Sequence, residues 1–156
     1  MADMNEAEAS ARYIKPHGFA VFLNRALNLL PKLGLGVWGA RTLAVRGRKS
    51  GEWKTVTVNL LSLDGERYLV APRGQTQWVR NIRVAGGGEL RLGRRTEPFT
   101  VTELPDPEKL PVLRRYLERW GWELGQFFEG VTKNATDAQL AEISPGFPVF
   151  RINRAD

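Results

Sequence analysis

Apolar positions recur along this chain at two different periods. Phe19, Phe22, Leu23, Ala26, Leu27 and Leu30 fall at helical spacing. They predict a helix opened by Pro16 and ended by Pro31 and the Gly34/Gly36 pair. Beyond Arg41 the pattern changes to short runs rich in β-branched residues. Thr42–Arg46, Thr55–Leu63, Tyr68–Ala71, Glu89–Leu92, Thr96–Thr102 and Pro148–Ile152 read as strands. Asp64-Gly65 marks a tight hairpin turn. Three helices interrupt the strands. Thr76 caps a short one carrying Trp78, Asn81 and Ile82, which Gly86-Gly87-Gly88 ends. Asp106 and Pro107 start a second, running through Leu113, Leu117 and Trp120, and Thr136 or Asp137 starts a third, to Ile143. Residues 1–15 are polar and read as a flexible segment, leaving 16–156 as one domain. Hairpins with a few helices predict an α+β fold on an antiparallel, barrel-like sheet.

Composition narrows the chemistry. Of 156 residues, none is cysteine and one is histidine, His17, so thiolate chemistry, a multi-histidine metal site and a Ser-His-Asp set are not expected. No metal site and no catalytic side chain stands out. Asp3, Glu6 and Glu8 do not suit a secretory signal. The stretch from Phe19 to Leu30, broken by Asn24, Arg25 and Asn28, is too short and polar to cross a bilayer. A cytoplasmic protein is expected, with peripheral membrane contact left open.

Charge is unevenly placed. The whole chain carries 23 Lys+Arg against 17 Asp+Glu, and the segment Arg46–Arg95 holds 11 of those bases but only 4 acids. The positive excess is therefore local, which argues for an anionic partner. At its start lies Gly47-Arg48-Lys49-Ser50-Gly51, two glycines around two cations and a hydroxyl. Such a turn suits a phosphate: a fork of donors, a mobile charge and exposed amides. It has neither the Walker spacing nor a dinucleotide fingerprint. An ordinary solvated hairpin turn has the same composition, and that alternative stands at this point. Trp53 and Trp78 interleave with bases as in single-strand binders, but no recognised nucleic-acid motif accompanies them, and no nucleic-acid partner is expected. Trp120, Trp122, Phe127 and Phe128 form an aromatic segment, read as core or dimer interface.

From about Arg41 to Thr102 the order of motifs resembles the deazaflavin-dependent nitroreductase family, a branch of the split β-barrel flavin-binding proteins. The resemblance rests on the Gly47–Gly51 turn, the strand after it, Asp64-Gly65, Pro72-Arg73-Gly74, and Trp78-Val79-Arg80-Asn81-Ile82, similar to the family's Trp-x-x-Asn-Leu. It implies a split β-barrel and an oxidoreductase. Hydride would pass from reduced coenzyme F-420, an 8-hydroxy-5-deazaflavin, to a small electron-poor acceptor: a quinone, an enone or unsaturated lactone, or a nitro compound. Flavin mononucleotide is the alternative cofactor. A non-catalytic binder of a flavin, haem-like or fatty ligand is the alternative function. By motif position, Gly47, Arg48, Lys49, Ser50, Gly51 and Lys54 would meet the coenzyme's phosphate and oligoglutamate tail. Arg73, Gly74 and Arg83 would lie at further cofactor-binding positions, and Trp78 and Asn81 would position the ring. Homodimer pairing is left open. Thr76, Pro72 and Asn59 depart from the family's usual residues, and no tyrosine-rich substrate wall is recognisable from Tyr116 to Phe128.

Overall fold

The computed structural model describes residues 39–124 and 134–155, the side chains of 121–124 excepted. The segment 1–15 expected to be flexible, the helix expected after Pro16, and the side chains of Trp122, Phe127 and Phe128 lie outside that description. Six strands form a closed antiparallel barrel: β1 (Ala40–Arg46), β2 (Trp53–Leu63), β3 (Glu66–Val70), β4 (Gly87–Leu92), β5 (Arg95–Glu103) and β6 (Val149–Arg154). Around the barrel their order is β1-β2-β3-β6-β5-β4, and β4 closes on β1. Closure leaves no unpaired strand edge. Among the described residues three helices flank it: α1 (Gln77–Ala85), α2 (Leu110–Leu124) and α3 (Asp137–Ile143).

Alternation along the strands builds two cores. Inward side chains, among them Leu43, Val45, Val58, Leu69, Leu90, Phe99, Phe150 and Ile152, fill the barrel together with Val79 and Ile82 of α1. Outward ones, Leu61, Val70 and Val149, pack under α2 and α3. The α2 residues Leu113, Tyr116, Leu117 and Trp120 recur on one face of the helix and are all buried there. Trp120 is therefore a core residue.

Each expected strand forms, extended by one or two residues at one or both ends, except that β3 stops before Ala71 and β6 starts after Pro148. Two boundaries differ in kind. Gly86 alone ends α1, in the left-handed region at φ 77°. Gly87 and Gly88 instead open β4, because their neighbours lie too close for a side chain. A Cβ at Gly87 would sit 2.2 Å from the Phe99 carbonyl oxygen, and one at Gly88 2.4 Å from that of Ala44. The helix expected from Asp106 begins as a separate 3-10 turn, Asp106–Glu108. There the buried Lys109 ammonium reaches the Asp106 carboxylate (2.7 Å) and the Ser144 carbonyl (2.9 Å), pinning the turn to the end of α3.

Candidate functional site

The turn joining β1 to β2 is closed from within. Gly47 N–H donates to the Glu52 carbonyl (2.8 Å) and Gly51 N–H to that of Gly47 (2.9 Å). The Ser50 hydroxyl oxygen accepts from Glu52 N–H at 3.2 Å. Gly51 holds φ 72°, which a side chain would strain, and a Cβ on Gly47 would meet Ser50 Oγ at 2.8 Å. These bonds fold the amides of 47, 51 and 52 inward. Among the described residues, the amides of Lys49 and Ser50 take no hydrogen bond, and both side chains are exposed.

Arg48 ties this turn to α1. Its backbone N–H donates to Asn81 Oδ1 (3.1 Å), and its Nη1 donates to the same oxygen (2.8 Å) and to Gln77 Oε1 (2.9 Å). Asn81 is buried and Gln77 exposed, so the clamp has one fixed jaw and one at the surface. With Nη1 fully engaged, the planar guanidinium is held in orientation, and Nε and Nη2 remain as the donors for a ligand. Asn81 thus holds Arg48 by the oxygen end of its amide. Lys54 follows on β2, its Cε 3.5 Å from a Cβ placed on Gly47, so the two cations and the fork lie along one stretch of surface.

Other expected positions divide. Gly74 stands at φ 83° in the loop leading to α1, its N–H donating to the Ala71 carbonyl at 3.2 Å. Arg73 is half-buried in that loop. Trp78 is half-buried, tilted against Phe150 with ring centroids 5.8 Å apart, at the edge of the barrel core. Arg83 does not join the turn. Two residues beyond Asn81 it points to another side of α1, where it pairs with Glu103 through Nη2 (2.7 Å) and Nε (2.9 Å) and also bonds Gln75. Those partners come from distant strand and loop positions that spacing along the chain does not reveal.

Two contributors were not foreseen. Gln77 gave no signal, because its role depends on where the hairpin meets the helix. The other is a stack on the outer barrel wall beside the turn. Arg46 lies 4.0 Å from the Trp53 ring centroid and Arg91 5.2 Å from it. Arg46 and Trp53 are direct cross-strand partners at the hairpin's mouth. That pairing follows from counting outward from the turn, a readable signal.

A sequence model of the family described as F420H(2)-dependent quinone reductase matches residues 30–122. No curated protein matches. Among solved structures, the protein Atu2129 of unknown function from Agrobacterium tumefaciens is similar at TM-score 0.55 and 16% identity, with 85% of this chain and 55% of that one covered. The present chain thus spans little more than half the length of that relative. A structure described as an F420-H2 dependent reductase aligns at TM-score 0.52 and 17% identity, covering 74% of this chain and 94% of that one. A third, described as a domain-swapped dimer, aligns at TM-score 0.53 and 16% identity, covering 87% and 100%. At these identities the structures establish a shared fold, the split β-barrel.

Proposed function

This chain belongs to the F420H(2)-dependent quinone reductase family, and from that premise we propose that it binds reduced coenzyme F-420 along the Gly47–Gly51 turn and reduces a small electron-poor acceptor, a quinone foremost. It is an oxidoreductase of the coenzyme-dependent kind. The observation that carries the site assignment is the clamp on Arg48, which joins the basic turn and the Trp-x-x-Asn helix into one structure.

The donor set suits a polyanion. Arg48 presents an oriented fork, Lys49 and Lys54 supply exposed point charges, and the Lys49 and Ser50 amides make no hydrogen bond among the described residues. Charge-assisted bonds of this kind are the strong ones for phosphate and carboxylate groups. When bound, the coenzyme supplies a hydride from its ring. The chain's own contribution is placement. Arg48, Lys49 and Lys54 hold the anionic end. Trp78, backed by Phe150, offers a firm apolar edge for the planar end. The side chains named here, of arginine, lysine and tryptophan, bind and orient the coenzyme rather than move protons. Arg83 is better read as a brace between α1 and β5. Homodimer formation, drawn from the relative described as a domain-swapped dimer, belongs to the same reading.

Two measurements test it. The first is a binding titration of coenzyme F-420 carrying increasing numbers of tail glutamates, against flavin mononucleotide. Affinity should rise with tail length and exceed that for the flavin; equal affinity with and without the tail overturns the assignment. The second follows oxidation of the reduced coenzyme against quinones, unsaturated lactones and nitroaromatics, with quinones expected to turn over fastest.

A further inference from the structure

The opposite end of the barrel carries charge on its inner face. Residues directly across an antiparallel pair share a face of the sheet. Arg41 lies opposite Val58, Arg67 opposite Ile152, Glu97 opposite Leu90, and Arg154 opposite Phe99. All four partners belong to the barrel core, so all four charged residues are inward-facing. They come from β1, β3, β5 and β6, and they sit away from the turn, toward the end where Asp64-Gly65 joins β2 to β3. Three arginines thus share one barrel end with a single glutamate.

That glutamate is already committed. Arg67 binds Glu97 through both terminal nitrogens, one bond measuring 3.0 Å. Arg67 holds the Glu97 carboxyl below its ordinary range, chiefly through those bonds, and Arg154 and Arg41 add to the same field. Among the described residues neither of these two arginines forms an ion pair of its own. Among the described residues the Arg154 side chain makes no hydrogen bond or ion pair, and the Arg41 guanidinium donates only to the Ala40 carbonyl at 2.9 Å. A hollow of about 520 Å³ opens beside Arg67 and Arg154, lined also by Ser62, Gly65, Ile152 and Asn153, with Glu66 as an acid on its rim. Like charges gathered at a concave mouth focus a field that draws counter-ions.

We propose that this barrel end is a second anion site, separate from the coenzyme turn, that takes a small dianion bearing phosphate or carboxylate oxygens between Arg154 and the outer edge of Arg67, within the field of Arg41. The site has the size for such an anion and the arginine forks that match its oxygens. It does not depend on the coenzyme reading.

The test is calorimetric titration with inorganic phosphate, and in parallel with succinate, at constant ionic strength. Wild type should bind. Arg154→Ala should weaken binding about tenfold, as expected for loss of one charge-assisted contact at a partly open site, and Arg41→Ala by less, as expected for a charge that acts without contact. Lys49→Ala, which weakens the turn, should leave this binding in place. Glu97→Gln should tighten it, because Arg67 is released to the ligand. Far-UV circular dichroism confirms that each variant is folded, and Arg154→Lys should keep most of the affinity should the alanine variant unfold. No binding by wild type overturns the proposal. So does binding lost in Lys49→Ala but retained in Arg154→Ala, or an affinity that Glu97→Gln fails to raise.

Discussion

Asn81 shows how far a single side chain can act from its own position. A buried amide oxygen accepts both the backbone and the side chain of Arg48, residues from two elements meeting at one atom. Asn81→Ala should therefore weaken coenzyme binding about tenfold, by freeing the guanidinium to wander. In the Arg48→Ala background the same change should cost far less, because the group it orients is gone. A double-mutant cycle on coenzyme affinity measures this; additive losses would mean that Asn81 meets the ligand directly. Trp-x-x-Asn was readable in the sequence as a motif, but the partner of its asparagine was not, since residues 33 apart meet only once the hairpin docks on α1. Glu97 gives a second case. Its carboxyl is held low by Arg67, so that pair's stabilisation is present at neutral pH and is lost as pH falls through the folded value. Glu97→Gln should flatten the acid limb of stability below the ordinary carboxylate range, with no such change on the alkaline side. Thermal unfolding across a pH series reads this directly.

Elements were the most legible level. Strands β1, β2 and β3 announced themselves through β-branched alternation and the Asp64-Gly65 turn, whose residues take φ 52° and 81°. The capping box of α3 was half visible: Thr136 accepts from Gln139 N–H at 3.2 Å, and Gln139 returns a bond to the Thr136 N–H at 2.8 Å. Thr136→Ala should cost about 1 kcal/mol in urea denaturation. Glycines were harder to read. Gly87 and Gly88 look like a helix stop, yet they belong to β4, where two other strands crowd them. Gly88→Ala should push β4 away from the Ala44 carbonyl and cost about 1–3 kcal/mol by the same measurement. A loss near zero would show that β1 and β4 can separate freely.

At the scale of the molecule, the local excess of positive charge points to the turn, but gives no sign that the barrel has charged groups at both ends. One group lies along the turn. The other emerges only from registers among four strands, which no local pattern encodes. Coenzyme binding at the turn should weaken as salt rises, and the slope should be shallower in Lys49→Ala. Affinity measured over a salt series checks it. The second core, between barrel and helices, is a separate source of stability. Trp120 is wholly buried there, and its replacement by Ala should cost about 3–5 kcal/mol in urea denaturation.

The order of strands has a consequence for how this protein is made. β6 lies between β3 and β5, pairing Val149 with Val70 and Phe150 with Glu103. On the ribosome, β1 to β5 are all translated before the strand that seals them. Until residues 149–154 emerge, β3 and β5 each carry a row of unmatched backbone donors and acceptors, and the nascent sheet is an open ribbon able to pair with a neighbour's. Such late, sequence-distant pairing makes closure slow. A nascent chain stalled before Val149 would expose the apolar lining of the barrel, Phe99 and Leu69 among it, to whatever chaperone or sister chain is nearest.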